Sequence, residues 1–136
     1  MSSLICDIVT PEARLYSEDA YMVIVPGVEG EMGYLEGHEP LISVLADGVV
    51  RVQKDKSDSE MKQFALQGGY VEVTGKKVII LANRAISGEE VDAEATKTEL
   101  EEAERKLAEL PAEEVSKSTL PADIEWCKMK IKASGN

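Results

Sequence analysis

The chain has 136 residues, of which 43% are hydrophobic, enough apolar content for one compact domain with or without an appendage and too much for wholesale disorder. Its 15 basic and 26 acidic residues leave a net charge of −11, which repels a phosphate backbone and argues against nucleic-acid binding. No apolar run approaches a membrane span, and Met1-Ser2-Ser3-Leu4 lacks the charged start and apolar stretch of a signal peptide, so residence in the compartment of synthesis without membrane insertion is expected.

Short apolar runs follow one another at 4–9, 21–25, 41–45, 49–52, 61–66, 70–74 and 78–81, separated by Gly, Pro and Asp. Runs of this length punctuated by turn residues predict an all-β sandwich or barrel. Val50 and Val52 are predicted to face one side of the sheet and Arg51 and Gln53 the other. Val71 and Val73 oppose Tyr70, Glu72 and Thr74 in the same way. Val78-Ile79-Ile80-Leu81 is apolar throughout and is predicted to be covered on both faces. The polar stretch 54–60 reads as a hairpin tip, and Gly68-Gly69 suits a bulge or a bend at a strand start.

The period changes near Ser87-Gly88. Ala93, Thr96, Leu100, Ala103, Leu107 and Leu110 follow a 3-4-3-4-3 spacing, one stripe of a helix, with Asp92 as N-cap and Pro111 as terminator. Leu120, Ile124, Cys127 and Ile131 repeat the pattern as 4-3-4 and predict a shorter second helix over 121–133, joined to the first by a polar connector. The expected fold class is β plus α: a β-sandwich over 1–88, then an α-helical hairpin over 89–136. Only Leu100, Leu107 and Leu110 are large apolar groups on the first helix, so the hairpin is expected to be weakly tied to the sandwich.

Charge divides along the chain as well: −5 over 1–88, −8 over 89–114 and +2 over 115–136. The last helix is thus the net-basic part. Lys130 and Lys132 near its end complement the helix dipole. Lys128 and Lys132 share a face that an acidic partner could meet, with Lys130 roughly opposite.

Residues for catalysis are scarce. Cys6 and Cys127 lie at opposite ends without metal-ligand spacing, and read as reduced, packed thiols. His38 is the one imidazole, in a Gly37-His38-Glu39-Pro40 turn with no nucleophile motif around it. No catalytic residue, metal or cofactor is expected, and the carboxylates Glu36 and Glu39 beside His38 make a weak case for an enzyme. A free-standing sandwich binding a small ligand is the main alternative, although the chain has 1 Trp, 4 Tyr and 1 Phe, and that Trp lies in the helical tail.

Two motifs carry a family resemblance. The first is Gly30-Glu31-Met32-Gly33-Tyr34-Leu35-Glu36-Gly37-His38-Glu39-Pro40-Leu41-Ile42-Ser43, followed by Leu45 and Gly48. The second is Gly68-Gly69-Tyr70-Val71-Glu72-Val73, with Val78-Ile79-Ile80-Leu81-Ala82 after it. In this order, ahead of a helical hairpin, they resemble the epsilon subunit of the bacterial F-type ATP synthase over nearly the whole chain.

The resemblance implies a non-catalytic rotor subunit of the central stalk of a proton-translocating synthase, peripheral on the cytoplasmic face of the plasma membrane. Its implied partners are the gamma subunit, the c-ring and, through the C-terminal helices, the catalytic alpha and beta subunits, whose ATP hydrolysis the helices hinder. By motif matching, Glu29, Gly30 and Glu31 fall on the loop facing the c-ring, and Thr10, His38, Glu39, Pro40 and Ser43 lie along gamma. Lys128, Lys130 and Lys132 match basic groups that meet an acidic segment of beta. Some family members bind ATP through Ile/Leu-Asp-x-x-Arg-Ala. Here the segment is Val91-Asp92-Ala93-Glu94-Ala95-Thr96, with Asp92 kept but Ala95 in place of the arginine, so no nucleotide site is expected.

Overall fold

A computed structural model describes residues 4–57 and 60–135. The N-terminal Met1-Ser2-Ser3, the tip residues Asp58 and Ser59, and Asn136 lie outside them. Eight strands come first: β1 (Leu4–Val9), β2 (Arg14–Ala20), β3 (Met22–Gly27), β4 (Gly30–Leu35), β5 (Leu41–Leu45), β6 (Gly48–Gln53), β7 (Lys62–Val73) and β8 (Lys77–Ser87). A single 3₁₀ turn, Gly88–Glu90, leads to α1 (Ala93–Glu109), a one-turn α2 (Ala112–Val115) and α3 (Leu120–Ser134). The expected connector thus contains a helical turn of its own, started by Pro111.

The strands pair in the order β2-β1-β8-β7-β5-β3-β4, with β6 bridging β3 and β7. All pairs are antiparallel except β1 with β8. The long strand β7 turns this array into a sandwich. Its first half, from Lys62 to Leu66, pairs with β6, and its second half, from Gly69 to Val73, pairs with β5.

The change of partner coincides with a change of parity. Phe64 and Leu66 point into the core before the glycine pair, and Val71 and Val73 after it. β8 makes the same change, from Val78, Ile80 and Ala82 to Ala85. Gly68 and Gly69, at φ 56° and 122°, absorb the bend. A methyl at Gly69 would overlap the Leu81 carbonyl oxygen and stand 2.9 Å from the Ala82 Cα. The glycine pair is therefore a mid-strand corner rather than a bulge at a strand start, and the register with β8 runs through it unbroken.

Between the two sheets lies a core of Leu4, Cys6, Ile8, Tyr16, Val23, Val25, Tyr34, Val50, Val52, Phe64, Leu66, Val71, Val73, Val78 and Ile80. The alternation expected for Val50 and Val52 and for Val71 and Val73 is observed. A second, smaller cluster lies outside the sandwich. Val49, Ala65 and Ile86 on the outer face of the β6–β7–β8 sheet receive Trp126, Met129 and Ala133 of α3. Of the six residues of the expected stripe, five lie on α1 and Leu110 is its C-cap; each is buried or half-buried, among exposed neighbours, and Thr96 and Ala103 are buried.

One expectation fails. Of Val78-Ile79-Ile80-Leu81, only Val78 and Ile80 are buried, while Leu81 is 47% exposed. The strand is apolar on both faces, but the described residues cover only one of them.

Candidate docking face

The uncovered side of Leu81 belongs to the outer face of the sheet formed by β1, the first half of β8, the second half of β7, and β5. Register places Val9, Leu81, Tyr70 and Val44 in one row across these four strands, and Asp7, Ile79, Glu72 and Ile42 in the next. Tyr70 is 55% exposed, Val44 48% and Ile42 72%. At the β5 margin the β3–β4 turn continues the row, because the Val28 N–H donates to the Val44 carbonyl at 3.3 Å and the Val28 side chain is exposed. The two outer faces of the sandwich thus differ: α3 covers one, and nothing among the described residues covers the other. Contiguous exposed apolar rows rimmed by polar groups mark interaction surfaces.

Two acidic residues share this face: Glu72 is exposed, and Asp7 is the buried one. It is almost fully buried beside Lys77, whose Nζ lies 3.2 Å from its Oδ2. Burial pushes its carboxyl up. Hydrogen bonds from Ser17 and Lys77 and the charges of Lys77 and Arg14 outweigh that effect and hold it below its ordinary value.

The residues singled out by motif lie around this face at different depths. Thr10 follows Val9 at the β1 margin, its hydroxyl closing a turn with the backbone of Ala13. His38 sits at the opposite strand ends, in a loop pinned by the Gly37 N–H to the Gly75 carbonyl at 2.7 Å. Its Nδ1–H donates to the Glu39 carbonyl at 2.7 Å, and its ring stands edge-on to Tyr34 at 5.0 Å. Glu39 and Pro40 are exposed. Ser43 is half-buried and shares the inward parity of Leu41 and Leu45, so the outward positions of β5 are its neighbours Ile42 and Val44. Those two, with Tyr70 and Leu81, are the surface residues that motif matching missed. Their signal was the apolar alternation itself, once the core had used the other parity.

Glu31 is not on a loop. It is the second residue of β4, opposite Pro26, and Arg51 Nη2 holds both of its carboxylate oxygens at 2.9 and 3.1 Å. Val28 and Glu29 make the turn tip, with Gly30 at φ 129° closing it.

In the hairpin, Asp92 accepts the Ala95 N–H at 3.0 Å as an N-cap, and Thr96 donates to the Asp92 carbonyl at 2.8 Å. The three lysines separate. Lys128 and Lys132 are exposed. Lys130 is turned inward, 3.5 Å from Glu99 of α1 and over the Trp126 ring at 5.9 Å, with Arg84 of β8 also over that ring at 5.4 Å. In this arrangement Lys130 ties α3 to α1 and is not presented to a partner. Cys6 and Cys127 are buried free thiols. Burial pushes Cys6 up to about 12 and raises Cys127 too, so neither is a ready nucleophile. No described helix is long and apolar enough to cross a membrane.

Comparison with known proteins agrees with this architecture. The family model described as ATP synthase, Delta/Epsilon chain, beta-sandwich domain, matches residues 3–88. The ATP synthase epsilon chain of Desulforudis audaxviator is 43% identical over 101 residues, 74% of this chain and 72% of that one. That of Syntrophomonas wolfei is 34% identical over 133 residues, 98% of this chain and 95% of that one. Among solved structures, a chain in the cryo-EM structure of the Euglena gracilis mitochondrial ATP synthase (OSCP/F1/c-ring, rotational state 1) shares the fold. Its TM-score is 0.79 at 24% identity, over 100% of this chain and 83% of that one.

Proposed function

The chain belongs to the epsilon-chain family of ATP synthase, and from that premise we propose that it is a non-catalytic rotor subunit whose sandwich joins gamma to the c-ring and whose hairpin restrains ATP hydrolysis. The observation that carries the first half is the asymmetry of the sandwich, one outer face covered by α3 and the other apolar and open. Ile42, Val44, Tyr70 and Leu81 form the centre of the surface offered to gamma. Thr10, His38, Glu39, Pro40 and Ser43 lie around or within it. A rigid sheet supplies a flat platform that loses little conformational entropy on docking. The Val28–Glu29 turn and the adjoining Gly30 and Glu31 project from one margin toward the c-ring, where the Arg51–Glu31 pair stiffens the start of β4.

The hairpin acts through charge. Lys128 and Lys132 meet the acidic segment of beta, and Lys130 joins them only once Glu99 and Trp126 release it. Asp92 serves as a helix cap, Ala95 supplies no guanidinium, and ATP affinity stays weaker than about 1 mM. The protein works at the cytoplasmic face of the plasma membrane without entering it.

Co-purification tests this reading. The full chain mixed with gamma should elute as a one-to-one complex, with no catalytic turnover of its own. Failure to form that complex, together with saturable binding of a small ligand, would favour a free-standing binding module.

A further inference from the structure

We propose that Gly88 is the seat that decides whether the hairpin can lie on the sandwich. It stands where β8 ends, is fully buried, and lies against the last turn of α3 at Ala133, itself 5% exposed. A methyl placed on it would overlap the Ala133 carbonyl oxygen, stand 2.7 Å from the Ala133 carbonyl carbon and 3.2 Å from the Gln63 carbonyl oxygen. These are backbone atoms, so no rotamer change can make room.

Two further facts make the requirement specific to the docked hairpin. Gly88 does not have a positive φ, unlike Gly30, Gly37, Gly68, Gly69 and Gly135, so its own backbone conformation is open to any L-residue. The contact to the Gln63 carbonyl oxygen, on β7 of the sandwich, asks for a shift of only a few tenths of an ångström, far less than the overlap with Ala133. The close approach to Ala133 disappears only if α3 moves away. A side chain at position 88 therefore penalises the docked state and leaves the sandwich nearly unaffected. The geometry stands by itself; its consequence for hydrolysis rests on the function proposed above.

The single Trp of the sequence provides the readout, since Trp126 is 7% exposed in the docked state. In the full chain, Gly88→Ala should shift Trp126 emission to the red and raise its acrylamide quenching severalfold, and Gly88→Val should do so further. Far-ultraviolet strand signal and the cooperative melt of the sandwich should be retained. Gly75→Ala is the control: its added methyl has nothing within 4 Å, and it should leave Trp126 buried.

Blue, unquenched emission in Gly88→Ala would overturn the proposal. So would loss of the strand signal, which would make Gly88 a requirement of the sandwich itself. If Trp126 becomes exposed while the assembled ATPase remains as inhibited as before, the seat stands and the regulatory role of the hairpin falls.

Discussion

Replacing Trp126 by alanine separates the hairpin from the sandwich in a way that can be measured. The indole is buried in a cluster with Val49, Ala65 and Ala133 that is distinct from the main core. Removing a buried Trp side chain costs about 3–5 kcal/mol. The cations of Arg84 and Lys130 over its ring add about 0.5–1 kcal/mol each at such partly exposed sites. Because that cluster is where α3 meets the sheet, the loss falls on docking and not on the sandwich. Together these are about 4–7 kcal/mol, so at a tenfold change per 1.4 kcal/mol amide protection along α3 should drop roughly a thousandfold or more. Hydrogen exchange followed by mass spectrometry reads both parts of the chain at once, with β1 and the first half of β8 as internal reference. Protection in α3 within about threefold of the parent, or an equal loss in the reference strands, would refute the separation into two clusters.

Further expectations follow from single contacts. Gly69→Ala places a methyl on the Leu81 backbone at a positive-φ corner and should destabilise the sandwich by about 3 kcal/mol or more in urea denaturation. Asp7 contributes stability that is present above the ordinary carboxylate range and lost as pH falls through its lower folded value; Asp7→Asn should flatten this acid limb in melts recorded from pH 6 downward. Asp92→Ala should cost about 1 kcal/mol through loss of the α1 cap, seen as increased exchange in the first turn, with no change in ATP titration calorimetry. The double variant Lys128→Ala/Lys132→Ala should weaken inhibition of hydrolysis at low salt and match the parent at high salt; inhibition unchanged at low salt would remove these lysines from docking. A fragment covering 1–88 should keep its strand circular dichroism and bind gamma, yet self-associate, because Val49, Ala65 and Ile86 lose the helix that covers them.

Periodicity made much of this fold legible. The α1 stripe from Ala93 to Leu110 emerged residue by residue because one face of that helix meets one neighbour. α3 was half legible, since it has two apolar faces: Leu120, Ile124, Cys127 and Ile131 follow one stripe, and Trp126, Met129 and Ala133 form the other, on the sheet. β2 and β4 were missed because they end the strand array. As edge strands they carry RLYSEDA and GEMGYL, too polar or glycine-rich to form an apolar run.

The expected two-sided burial of Val78-Ile79-Ile80-Leu81 is the most informative miss. A strand apolar on both faces is normally buried twice, and here the second cover is absent among the described residues. Ser43 illustrates the same limit from the other side: a motif gives a position, but the parity of β5 decides that Ile42 and Val44 face outward. Glu31 likewise kept its place in the motif while its setting proved to be a strand, fixed by an arginine 20 residues away.

The most direct test of the docking face is isothermal titration of gamma into the full chain and into a Val44→Glu/Tyr70→Glu variant. Both positions are about half exposed, so the variant should melt within a few degrees of the parent. The account predicts a saturable one-to-one isotherm for the parent and at least a hundredfold weaker binding for the variant, as two buried charges at an apolar centre demand. Equal affinity in parent and variant would place gamma elsewhere and contradict the claim.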